Sequence, residues 1–138
     1  MPIGPDPHRP VVFVVDDESC VTDTLAEILN REGYDAIAAY CAEDALDISL
    51  DRRPQLLITD VMLPGMNGID LAIKMRRIFP DCKIVLFSGS ARTADLLASA
   101  NQQGHEFALL LKPIHPSDLL ARISDGLKPG HLSAAQAD

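Results

Sequence analysis

Four apolar stretches of the chain each run into a residue with chemistry to offer: FVVDDE into Asp16 and Asp17, LLITD into Asp60, VLFS into Ser88, and LLLKP into Lys112 and Pro113. Carboxylates packed close together repel one another, and a hard divalent cation with oxygen ligands is the usual remedy. Mg²⁺ fits such a set best, because it prefers octahedral oxygen coordination and is commonly held by one or two carboxylates plus a phosphate. That leaves a third carboxylate for another task, and Asp60 is the candidate nucleophile. Its attack on phosphorus would give an acyl phosphate through a transition state that spreads charge over equatorial oxygens. The Ser88 hydroxyl and the Lys112 ammonium are suitable partners for those oxygens. Neither GxxxxGKS/T nor GxGxxG occurs in the sequence, so no nucleotide cradle competes and the donor must bring its own phosphate.

These residues are spread over about a hundred positions, so the fold has to gather them. Short runs rich in β-branched residues alternate with longer stretches of helical period, the pattern of βαβ units around a parallel sheet. Strands are expected at Val11 to Val15, Tyr34 to Ala39, Gln55 to Thr59, Lys83 to Phe87 and Phe107 to Leu111. Helices are expected on the stripes Val21, Leu25, Ile28, Leu29; Ala42, Ala45, Leu46, Ser49, Leu50; and Leu71, Met75, Ile78. A weaker stripe, Ala94, Leu97, Ala98, marks a fourth near Arg92 to Gln102, and Leu119, Leu120, Ile123, Leu127 mark a fifth that opens on Pro116. Gly33 is placed as a left-handed C-terminal cap of the first helix. Five such units suit an α/β fold, an open, doubly wound, five-stranded parallel sheet of the flavodoxin-like (βα)5 kind, better than a closed eight-stranded barrel. Parallel strands put their carboxyl ends on one edge, so Asp16, Asp17, Asp60, Ser88 and Lys112 should share one pocket.

The 138 residues fall within the size of one domain. A domain over 11–128 is expected, with flexible segments at 1–10 and 129–138. Hydrophobic residues at 47 % and charged residues at 23 % are ordinary globular usage. A formal charge of −8 argues against nucleic-acid binding, which draws on clustered Lys and Arg. The longest apolar runs fall far short of the ~20 residues a membrane helix needs. The opening MPIGPDPHRP has no signal-peptide core, so a cytoplasmic location is expected. Cys20, Cys41 and Cys82 lack CxxC spacing and read as reduced, packed thiols.

With these residues in view, the sequence resembles the receiver domains of bacterial two-component response regulators, of the stand-alone type, from Val11 to about Leu127. The resemblance rests on FVVDDE, LLITDVMLPGMNGIDL, VLFSGS and LLLKPIHPSDLL in that order. It implies that Asp17 and Asp60 bind Mg²⁺ directly, that Asp16 holds it through water, and that the Met62 carbonyl supplies a further ligand. It implies phosphorylation of Asp60, with Ser88 and Lys112 on the phosphoryl oxygens and a cis peptide before Pro113. A sensor histidine kinase or histidine phosphotransfer protein would be the donor, and a downstream protein target would read the change of shape. The module would catalyse its own phosphotransfer and autodephosphorylation without being an enzyme in the usual sense. One position departs from the family: receivers usually carry Tyr or Phe three residues before the lysine, where this chain has Leu109, with Phe107 two residues earlier.

Taken singly, each motif has a plain reading. Asp16-Asp17 could cap a helix, Asp60 could serve a turn, Ser88-Gly89-Ser90 could be a loop, and Lys112-Pro113 could be a solvated lysine before a helix. Their order and spacing argue for function. A phosphatase of the haloacid-dehalogenase type would want a second aspartate two residues after Asp60, where Met62 stands. A receiver-like fold without chemistry is disfavoured by the presence of all five polar residues.

Overall fold

The computed structural model describes residues 9–88, 107–111 and 116–127. Within them lie β1 (Val11–Val15), α1 (Ser19–Arg31), β2 (Asp35–Ala39), α2 (Ala42–Ser49), β3 (Leu56–Asp60), α3 (Gly68–Ile78), β4 (Lys83–Ser88), β5 (Ala108–Leu111) and α4 (Pro116–Leu127). The expected helix near Arg92 to Gln102, the Lys112-Pro113 pair, residues 1–8 and the C-terminal tail lie outside the described residues, whereas Arg9 and Pro10, expected in a flexible segment, are tied to the fold: Arg9 donates to Tyr34 O and Pro10 O accepts the Asp35 N–H.

All five strands are parallel and run in the order β2-β1-β3-β4-β5, which makes the fold a doubly wound α/β sheet of flavodoxin-like type. β1 and β3 sit inside the sheet and are buried along their whole length, as expected of strands covered on both faces. β2, at the edge, is only partly buried. Alternation sorts the side chains. Val12, Val14, Leu56, Ile58 and Phe87 pack under Leu25 and Leu29 of α1 and Leu119 and Ile123 of α4. Phe13, Val15, Leu57 and Leu86 pack under Ala42 and Ala45 of α2 and Leu71 and Met75 of α3. Each large side chain buried this completely contributes about 1.5–3 kcal/mol of hydrophobic stabilisation.

The helix ends follow local chemistry. Gly33, just past the C-cap of α1, has φ +97, a conformation in which L side chains are strained. The Cys41 thiol accepts the Asp44 N–H at the start of α2, and the Asn67 side chain accepts the Asp70 N–H at the start of α3.

Three expectations need correction. The strand ends shift by a residue: β3 extends to Asp60, β4 to Ser88, and Phe107 precedes β5. Leu50 and Ile78, expected on buried stripes, are 83 % and 55 % exposed, because each stands at the end of its helix as the chain turns away. Cys20, expected to be packed, lies exposed on α1, whereas Cys82 is buried and all three thiols are free.

Candidate functional site

The carboxyl ends of β1 and β3 bring the acidic residues together. Val15 pairs with Thr59 in the register of these strands, so Asp16 and Asp60 follow at matching levels. One carboxylate oxygen from each of Asp16, Asp17 and Asp60 lies within 4.8 Å of the others. Asp16 and Asp60 are buried at 0 % and 7 % exposure, while Asp17 faces solvent. Two wholly buried anions side by side would be costly, whereas an open acidic cluster with one solvated member is suited to a hard cation that keeps some of its water.

The same local device holds both buried carboxylates. Asp16 Oδ1 accepts the Glu18 N–H at 3.0 Å, and Asp60 Oδ1 accepts the Met62 N–H at 3.2 Å. Each aspartate thus hydrogen-bonds the backbone two residues on, which shapes the loop leaving its strand. Backbone contacts lock these loops from behind. Asp16 N–H donates to Ala39 O, Val61 N–H to Phe87 O, and Gly68 N–H to Val61 O. Thr22 closes the first turn of α1, its hydroxyl donating to Asp16 O at 2.7 Å and also lying 3.0 Å from Glu18 O.

Ser88 ends β4 at 0 % exposure, beside Leu111 at the end of β5. It therefore lies on the same sheet edge as the acidic cluster. Met62 is 46 % exposed in the loop after Asp60, and its backbone is fixed by the Asp60 side chain. Lys112 directly follows β5 in sequence but lies outside the described residues.

Several residues have positioning roles that the sequence did not show. Gly68, marked in the sequence only as part of the LLITDVMLPGMNGIDL motif, is one: a β-carbon there would fall 2.0 Å from the Asp60 carbonyl oxygen, so the start of α3 rests directly on the end of β3. Thr22 was hidden because a threonine inside a helical stripe looks like surface. Tyr40 is another, its hydroxyl donating to Asp23 of α1 and tying the end of β2 to that helix. Its neighbour Asp23 raises the Tyr40 pKa, chiefly by accepting that hydrogen bond.

Phe107 answers the question of the aromatic position in part. Ala108 pairs with Val85 and Ser88 with Leu111, so Phe107 stands about four residue levels, roughly 13 Å at 3.3 Å each, from Ser88. Its ring packs on the α2 and α3 side of the sheet, with the Arg76 guanidinium 5.1 Å from its centroid. Phe107 is thus engaged toward the amino edge of the sheet. The side chain of Leu109 is outside the described residues.

Residues 12–124 match the family model of the response regulator receiver domain. The chain belongs to that family and is a receiver domain of two-component signalling. Solved structures agree. The receiver domain protein (CheY-like) of Methanospirillum hungatei JF-1 is 28% identical, with a TM-score of 0.75 over 84% of this chain and 91% of that one. The signal receiver domain of an HD domain-containing protein from Pseudomonas fluorescens Pf-5 is 27% identical, with a TM-score of 0.76 over 83% of this chain and 91% of that one. The response regulator TrrA of Thermotoga maritima, solved in complex with Mg²⁺ and BeF, is 27% identical, with a TM-score of 0.71 over 83% of this chain and 96% of that one. No helix among the described residues is long and apolar enough to cross a membrane.

Proposed function

We propose that this receiver domain takes a phosphoryl group onto Asp60 from a phosphohistidine donor, in an Mg²⁺-dependent reaction, and signals through the change of shape that follows. The observation that carries this reading is the convergence of Asp16, Asp17 and Asp60 within 4.8 Å at the carboxyl edge of a parallel sheet, where doubly wound folds bind ligands. Asp16, Asp17, Asp60 and the Met62 carbonyl would hold the cation, as the oxygen-only chemistry of the set suits. When bound, Mg²⁺ would neutralise charge on the transferring phosphoryl group.

The remaining work belongs to the chain. An Asp60 carboxylate oxygen forms the bond to phosphorus as the bond from phosphorus to the donor imidazole nitrogen breaks, and the freed imidazole takes up a proton. The Asp60–Met62 hydrogen bond holds the carboxylate that attacks phosphorus at a fixed angle. The Ser88 hydroxyl and the Lys112 ammonium bind the phosphoryl oxygens, where developing charge makes them most effective. The donor would be a sensor histidine kinase or histidine phosphotransfer protein, and the target another cytoplasmic protein. Residues 11–128 form the receiver in this reading.

Incubation with acetyl phosphate and Mg²⁺, followed by mass measurement, tests it. One phosphoryl group should be gained, none in EDTA, and none in Asp60→Asn. An Asp60→Asn protein phosphorylated at the wild-type rate would overturn the assignment. Steady hydrolysis of free phosphomonoesters would point to a phosphatase instead.

A further inference from the structure

The opposite edge of the sheet has a concavity of its own. Helices that return between parallel strands run against them, so α2 and α3 end beside the amino ends of β3 and β4. There a cavity of about 320 Å³ opens between the turn after α2 and the turn after α3, with Arg53, Pro54, Ile78, Phe79, Asp81 and Lys83 in its wall. That volume lies at the small end of sites that bind organic groups, roughly 300–1,000 Å³. Its inner wall is apolar, with Pro54 and Cys82 buried and Phe79 half-buried. Ile78 stands 55 % exposed beside it. A lone exposed isoleucine is unremarkable on a protein surface, but one set at the mouth of an apolar cavity marks a place to bind.

Nearby arginines are engaged by acceptors. Arg52 is committed to an ion pair with Asp35, and Arg76, which lies over the Phe107 ring, also donates to Cys82 O. The Arg53 guanidinium likewise lies over a ring, 5.5 Å from the centroid of Phe79. A guanidinium stacked on a ring keeps its edge of N–H donors directed outward, in a geometry matched to a carboxylate. Among the described residues, Arg53, Lys83 and Asp81 make no ion pair. In a chain of formal charge −8, two uncommitted cations flanking an apolar wall select a locally acidic partner and leave most of the surface repelling it.

We propose that this cavity docks a short acidic peptide segment of a partner protein, which sets one aromatic or branched aliphatic side chain against Phe79 and Pro54 while its carboxylates pair with Arg53 and Lys83. β3 spans five residues between the two edges, roughly 16 Å at 3.3 Å per residue. The peptide therefore leaves the Asp60 edge open, and the two sites can be filled together. The proposal does not depend on phosphorylation of Asp60.

The test is an NMR titration of the ¹⁵N-labelled full chain with the peptide acetyl-Glu-Asp-Phe-Glu-Glu-amide. Two control peptides replace Phe with Ala, or all four acids with Lys. Saturable shifts at the amides of Arg53, Phe79 and Lys83 are expected, with both controls weaker. The exposed charge reversals R53E and K83E should each weaken binding by about tenfold, with phosphoryl uptake at Asp60 unchanged. Absence of saturation below about 1 mM, equal binding of the lysine peptide, or shifts centred elsewhere would overturn the proposal. So would concentration-dependent self-association that R53E abolishes, which would give the cavity to a second copy of the chain.

Discussion

Gly68 touches the backbone of Asp60 so closely that a β-carbon on it would lie 2.0 Å from the Asp60 carbonyl oxygen and 3.0 Å from the Val61 Cα. Its φ is not in the left-handed region, so glycine is required here by space. The Gly68 N–H donates to Val61 O at 2.9 Å, and this contact sets how near α3 stands to the loop after Asp60. Gly68→Ala should push α3 away, costing about 2–3 kcal/mol, at the upper end for overpacking, because the obstacle is backbone. Urea unfolding measures the loss, and acetyl phosphate uptake should slow in the folded fraction. Wild-type stability would mean that α3 can yield without strain.

Millimolar Mg²⁺ should raise the melting temperature of the apo protein, because only the folded chain gathers Asp16, Asp17 and Asp60. Asp17→Ala should lose most of that gain while its stability without the ion changes little, since Asp17 faces solvent. Asp60→Asn keeps the Oδ1 acceptor for the Met62 N–H and removes one of three crowded charges. It should be as stable as wild type without Mg²⁺, or more so by on the order of 1 kcal/mol. Melts at 0 and 10 mM Mg²⁺ would check both, and an unshifted wild type would rule out a metal at the acidic cluster.

Cys82 gives a pH signature unrelated to the acidic edge. Burial pushes its thiol up to about 11 from an ordinary value near 9, against a smaller lowering by Arg76. The unfolded chain therefore loses this proton first as pH rises, and stability that is whole below pH 9 declines toward pH 11 by on the order of 2 kcal/mol. Comparing Cys82→Ala with wild type in urea melts from pH 8 to 11 isolates the effect, since the difference between them should shrink as pH rises. Ellman's reagent at neutral pH should reach Cys20 first and Cys82 only on unfolding. A rapid reaction of all three thiols would contradict this packing.

Phe107 should stay still when the switch is thrown. It stands under Arg76 about four residue levels from Ser88, so no vacancy behind Ser88 comes within its reach. Beryllofluoride should shift Ser88 strongly and leave the Phe107 ring resonances in place. Phe107→Leu should cost about 1 kcal/mol of stability through the lost cation–π contact and leave phosphoryl uptake unchanged. Large ring shifts with Leu109 unmoved would show that a distortion of β5 carries the ring inward after all.

The alternating pattern of the sequence carried most of this architecture, because Val11–Val15 and Leu56–Asp60 are apolar enough to read as strands covered on both faces. It marked Asp16, Asp17, Asp60 and Ser88 as strand-end residues, and that placement needs only the parallel order of the strands. Contacts across the fold were harder to read. Hydropathy cannot reveal that the Thr22 hydroxyl is consumed by Asp16 O, so the buried face of α1 runs through Thr22 and Ala26, with Val21 and Ile28 at its flanks. Nor does the amino-acid order show that Gly68 is wedged against Asp60, or that Arg53 and Arg76 each stand over a phenylalanine ring. These depend on loop paths, which a periodicity does not encode.

The strand order also sets a timetable for synthesis on the ribosome. β1 pairs with β3 as well as β2, and the Val11 N–H is answered by a side chain 44 residues later, at Gln55. At roughly 5–20 residues per second, the first strand waits several seconds for that neighbour to emerge. Until then β1 is an apolar strand with an open edge, the kind of surface on which nascent chains associate wrongly. Asp16 and Asp17 stand at its end throughout that wait, and charged residues beside an open strand edge oppose such pairing.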